Sequence, residues 1–224
     1  GKLAFTTREP IGVVVAVSAF NHPLNLICHQ VGPAIASGCP VIVKPAADTP
    51  LSCFRFVEII REAGLPDEWC QALVTSSLNV ATRLVSDPRV AFLSFIGSAR
   101  VGWMLRSKLA PGARCALEHG GAAPVIMAQD ADIDDALTSG SEAVEQALDT
   151  ADGLFHDRNS WLPASRRIEI LEKSAAIMAE RTEELALEAA REGGKPLVDS
   201  RVEIVRAIDS IRICIDCLRT ESGE

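Results

Sequence analysis

Four groups of residues have the types and spacing that chemistry needs. Glu118 closes an apolar run and is followed by His119, Gly120 and Gly121. A carboxylate there is either a general base held beside a ligand or a surface acid before a turn. Gly97-Ser98 follows the apolar run Val90 to Ile96, with Gly102 one turn into the helical stretch beyond. Glycine lets a phosphate approach the backbone, and a helix start offers free N–H groups and a positive dipole end. By itself, this pattern reads equally well as a plain glycine turn. Lys44, directly after Val43, either reaches a ribose or phosphate or is a solvated strand end. Asn21, after Ala19-Phe20, either donates to an oxyanion or caps the next helix.

Each group lies just after an apolar, β-branched run. Val13 to Val17 is apolar without alternation, the mark of a strand buried on both faces. A helical stretch over about 23–37 stops at Gly38, Val41-Ile-Val43 is the next strand, and a helix follows with Thr49 as cap and Pro50 first. Ala72 to Thr75, Val90 to Ile96, Cys115 to Glu118 and Pro124 to Met127 are further strands, separated by helices at about 80–85 and 99–109. This alternation predicts an α/β fold, a Rossmann-like doubly wound, mostly parallel sheet flanked by helices. Such folds bind ligands beyond the carboxyl ends of their strands. The usual Gly-x-Gly-x-x-Gly fingerprint is absent after the first strand, which argues against an ordinary Rossmann dehydrogenase.

The remainder is helical. Ala143, Ala147, Ala151 and Leu154 mark one helix face; Ile168, Leu171, Ala175 and Met178 a second; Val198, Val202, Val205 and Ile208 a third. Thr138-Ser-Gly-Ser141 reads as a flexible linker, and Gly193-Gly194 with Pro196 as the turn between the last two helices. The expected organisation is one dinucleotide-binding domain over 1–224: a sheet-forming part to 137, a linker at 138–141, and helices from 142 packing on the same sheet.

Composition excludes other classes. The 224 residues carry a net charge of −8 with scattered Lys and Arg, which disfavours nucleic acid and anionic lipid as partners. No apolar run reaches membrane-spanning length. Seven cysteines, an odd number in a chain long enough to bury a core, read as reduced thiols in a cytoplasmic protein. Cys214-x-x-Cys217 lies in a helical pattern, where its spacing puts both thiols on one face toward the core, and no partner pair suggests a metal site.

Taken together, these pieces resemble the aldehyde dehydrogenase superfamily. Pro10-Ile-Gly-Val-Val14, Phe20-Asn21 with Pro23, Val41-Ile-Val-Lys-Pro45, Thr49-Pro50, Phe95-Ile-Gly-Ser98 with Gly102, Leu117-Glu-His-Gly-Gly121 and Asp130-Ala-Asp132 fall in family order. Trp161, Arg166, Glu192-Gly-Gly-Lys-Pro196 and Glu203 resemble the family's amino-terminal helices, which there precede the first strand. The simplest account is an engineered circular permutation joined at Thr138 to Ser141, with the catalytic domain replaced by the linker and the chain ends side by side. The resemblance implies NAD or NADP as cofactor, with Gly97, Ser98 and Gly102 at the pyrophosphate, Lys44 at the adenosine ribose, and Phe20 and Gly120 near the cofactor. It implies Asn21 in an oxyanion hole and Glu118 as general base. Ala47 stands where NAD-preferring members often carry a ribose-binding Glu, which leaves room for a 2′-phosphate. The family's Gly-Gln-x-Cys segment has no counterpart. The parent reaction oxidises an aldehyde to an acid through a cysteine thiohemiacetal. The chain is therefore expected to be a cofactor-binding module, inactive alone, and a monomer or weak dimer. The alternatives are an enzyme complemented by a separate catalytic fragment and a scaffold without cofactor.

Overall fold

The computed structural model describes residues 6–75, 77–119 and 141–220, with the backbone alone over 141–146. Five strands, β1 (Val13–Val17), β2 (Val41–Lys44), β3 (Cys70–Ala72), β4 (Val90–Gly97) and β5 (Arg114–His119), form one parallel sheet in the order β3-β2-β1-β4-β5. Every residue of β1 is buried, as a central parallel strand requires. Because successive side chains point to opposite faces, Val14 and Ala16 join one core and Val13, Val15 and Val17 the other.

The first face is covered by α1 (Pro23–Ala36) and α2 (Leu51–Glu62), the second by α3 (Leu78–Ser86), α4 (Ala99–Arg106) and α5 (Ser141–His156). Gly38, at φ 74°, ends α1 in the left-handed conformation that favours glycine, and Cys39 N–H closes the turn on Ala34 O at 2.9 Å. The helices α6 (Ala164–Glu180), α7 (Thr182–Gly193) and α8 (Leu197–Thr220) lie against α1 and α2 as an outer layer, while α5 meets β1 and β2 directly. Among the described residues, no helix is long and apolar enough to cross a membrane.

Several details correct the expectations. The stripe expected on the last helix is mostly exposed at Val198, Val202 and Val205; the buried stripe runs through Ile204, Ala207, Ile208, Ile211, Cys214, Ile215 and Leu218. It wins because it is continuous over about four turns, whereas the valines share their face with Asp209 and Arg212. Cys214 is buried but Cys217 is exposed, so the pair does not share a core face. The second helix is broken at Arg181 into α6 and α7. Strand β3 sits two residues earlier than expected, at Cys70. Thr49 is not the cap of α2: the carboxylate of Glu192 accepts from Leu51 N–H at 2.7 Å and Ser52 N–H at 2.9 Å instead. Residues 120–140, which include the strand expected at Pro124 to Met127 and most of the linker, lie outside the described residues, as do both chain ends.

This packing separates two kinds of substitution on α8. Ile211→Ala, at a side chain with no exposed surface, is expected to cost about 2–5 kcal/mol in urea denaturation. Val202→Ser, on the exposed side, is expected to stay within about 0.5 kcal/mol of the parent.

Candidate functional site

The strands end along one rim. Val17 pairs with Lys44 on one side and Phe95 on the other, Phe95 pairs with Leu117, and Ile96 with Glu118. The strand order turns back between β1 and β4, where a doubly wound sheet opens its ligand crevice. Gln30 of α1, missed in the sequence, ties this junction together. Its Nε2 donates to Val17 O at 3.1 Å, Ser94 O at 2.9 Å and Ser94 Oγ at 3.1 Å.

Beside the junction lies a cleft of about 150 Å³ lined by Val17 and Lys44 from the strands, Leu78 and Ala81 from α3, and Val101 and Leu105 from α4. Burial lowers the pKa of Lys44, whose Nζ donates to Pro45 O at 3.1 Å. Among the described residues no carboxylate pairs with it. The helix that forms one wall starts at Ser98, whose Oγ accepts from Val101 N–H at 3.4 Å. Gly97 and Gly102 are packing positions: a Cβ on either would come within 2.8 and 2.9 Å of the Phe95 ring. Bare glycines thus let the start of α4 sit close on β4. Apolar walls and one ammonium line this small cleft, and the nearby helix start offers N–H groups of the kind that bind phosphate.

Phe20 and Asn21 form an exposed turn after β1, and Glu118 is exposed near the end of β5, with β4 between the two strands. Neither the Asn21 nor the Glu118 side chain bonds to another described residue. Gly120 lies outside the described residues. The Asn21 turn is held from beneath by residues whose role local reading missed. Glu203 Oε1 accepts from Leu24 N–H at 2.8 Å and Asn25 N–H at 3.0 Å. Lys195 Nζ donates to the other Glu203 oxygen and to Asn21 O at 3.3 Å. Glu203 is wholly buried.

A parallel sheet in this order, with helices on both faces, is a fold of the Rossmann type. The sequence profile of the aldehyde dehydrogenase family matches residues 1–141 and, separately, 138–224; the chain belongs to that family. It is 39% identical over 137 residues to 3-sulfolactaldehyde dehydrogenase of Priestia aryabhattai, covering 61% of this chain and 28% of the relative. It is 39% identical over 131 residues to mitochondrial succinate-semialdehyde dehydrogenase of Arabidopsis thaliana, covering 58% and 25%. The chain thus spans about a quarter of the length of these relatives. Among solved structures, an aldehyde dehydrogenase from Brucella melitensis biovar abortus 2308 matches with TM-score 0.50 and 37% identity over 52% of this chain and 24% of that one. An Escherichia coli NADP-dependent enzyme matches with TM-score 0.50 and 38% identity, again over 52% and 24%.

Four of the thiols are poorly placed for nucleophilic work. Burial pushes Cys28 and Cys53 well up, Cys70 to about 12 and Cys214 to about 11, whereas an attacking thiol needs its thiolate. Alkylation with iodoacetamide, followed by peptide mass spectrometry, is expected to label exposed Cys217 first and half-buried Cys115 more slowly. Cys28, Cys53 and Cys70 should react only on unfolding; fast native labelling of any of them would contradict the packing.

Proposed function

We propose that this chain is the NAD(P)-binding domain of an aldehyde dehydrogenase, competent to hold its cofactor and inactive by itself. The observation that carries this reading is the cleft between α3 and α4, lined by Lys44 at the strand end and by Val101 in the first turn of the helix that Ser98 caps. Lys44 would hold the adenosine ribose or its phosphate. The N–H groups at the start of α4, which have no acceptor within the helix, would hold the pyrophosphate. Phe20 would cover part of the cofactor. Ala47 is exposed and adds no carboxylate to repel a 2′-phosphate, so both NAD and NADP fit.

A bound dinucleotide would supply a hydride acceptor. This chain's own residues would serve the carbonyl and the proton: the Asn21 amide donating to the developing oxyanion, and Glu118 taking a proton from thiol or water. The exposure of both side chains supports a site completed by another wall. None of the seven cysteines stands in the family's nucleophile segment. Complementation by a separate catalytic fragment is the second reading, favoured by these two exposed, unbonded groups.

The two matched stretches support a permuted order, in which the helices from α5 onward belong before β1 in the family. Glu192 and Glu203 cap helices of the first part, which supports a single folding unit; one transition in the urea curves is the expected outcome. Seven free thiols support a cytoplasmic setting. We further propose a monomer or weak dimer, to be checked by analytical ultracentrifugation.

Calorimetry with NAD and NADP is expected to show weak, saturable binding, with amide shifts at Ala99 and Arg100. Lys44→Met should weaken it about tenfold, as loss of one charge-assisted bond does. Ser98→Pro suits the φ of −71° at that residue and removes a donor, so binding should fall while the fold persists. No heat and no shift at millimolar dinucleotide would overturn the reading. Aldehyde-dependent cofactor reduction should be undetectable; turnover abolished by Glu118→Gln would instead establish an active enzyme.

A further inference from the structure

The start of α1 is where a doubly wound fold most often receives a phosphate, because it follows the central strand β1 and its N–H groups face the rim. Here that position is taken. His22, at the cap position, makes no side-chain cap bond, and no acidic residue lies in the first turn. Pro23 has no N–H, and the next two donors, Leu24 and Asn25, both point to Glu203 Oε1. The acceptor comes from a helix 179 residues away. Its second oxygen binds Lys195 Nζ, an ammonium with only 14% of its side chain exposed. That same ammonium holds Asn21 O at 3.3 Å and lies 3.4 Å from His22 Nδ1. The backbone from Asn21 O to Asn25 N is thereby tied to one buried ion pair.

We propose that Lys195 and Glu203 are positioning residues. The pair fills the anion position at the start of α1 with the chain's own carboxylate, fixes the turn that presents Asn21, and keeps cofactor phosphate away from that helix end. The placement of Asn21 and of the phosphate at α4 rests on the function proposed above; the filled anion position does not. A buried carboxylate is held by charge complementarity. Removing it therefore leaves two unpaired N–H groups and an ammonium without its counter-ion around a carboxylate-sized hole. Such a hole accepts a small anion from solution.

The test uses the full chain and formate, with chloride at equal ionic strength as control. Glu203→Ala should lower the melting temperature, and formate should restore it saturably. Formate should do nothing saturable to the parent, and Lys195→Met in the Glu203→Ala background should abolish the recovery. The positioning role is read on the Asn21 side-chain amide signals by NMR: displaced in Glu203→Ala, returned by formate. Hydrogen exchange at Leu24 and Asn25 should accelerate about tenfold or more in the isosteric Glu203→Gln, which keeps the shape and loses the charge.

If Glu203→Ala does not fold alone, its refolding in formate against chloride gives the same answer. Equal stability and exchange in Glu203→Gln, absent formate recovery, or undisturbed Asn21 signals would each overturn the proposal. Separately, dinucleotide added to the parent should shift Ala99 and Arg100 and leave Leu24 and Asn25 unmoved. Shifts at Leu24 and Asn25 would overturn the exclusion. No shift anywhere, with formate recovery intact, would instead remove the cofactor reading and leave the anion position standing.

Discussion

The central strand of a parallel sheet has no face to spare for water. Both sides of β1 are buried, so this central strand needs a helix above and below, and each crossover helix must start at the rim where the strands end. That single requirement places the start of α1, the start of α2 and the start of α4 in one row. Helix starts are rows of unpaired N–H groups, and the chain treats them in two ways. Carboxylates from the α7–α8 corner close α1 and α2, through Glu203 and Glu192. The start of α4 has only the weak Ser98 cap. The difference between a closed and an open helix end is what sets the candidate cofactor position apart from its neighbours.

The outer helices therefore do two jobs with one surface. Ile204, Ile208 and Ile211 of α8 complete the apolar layer over α1, and Glu203, on the same side of the same helix, delivers the carboxylate to its end. Packing and polar satisfaction are linked in register, since sliding α8 by one turn would misplace both. Burying Glu203 costs desolvation, offset by two backbone donors and an ammonium; such arrangements specify one geometry more than they add stability.

Much of this was legible in the residues. Strands buried on both faces read as unbroken β-branched runs, so β1, β2 and β4 stand out, and among the described residues Lys44, Gly97, Ser98 and Glu118 fall on the rim. Short β3 was displaced because Gln71 interrupts its apolar character. The last helix misled because Val198, Val202 and Val205 repeat at helical spacing; only the position of α1 decides which of two competing stripes is covered. The break at Arg181 carries no proline or glycine. Gln30, Lys195 and Glu203 were silent as site residues for one reason: their partners lie on other elements, and local spacing carries no information about them.

The caps on α1 and α2 also have a consequence in time. Glu203 follows Leu24 by 179 residues and Glu192 follows Leu51 by 141. At a synthesis rate of about 5–20 residues per second, the start of α1 leaves the ribosome roughly 9 to 36 seconds before its acceptor exists. During that interval β1 and α1 can collapse together, but their rim carries open donors and the outer side of α1 is uncovered apolar surface. The early half of the chain thus closes its two helix starts only when the last two helices, α7 and α8, arrive.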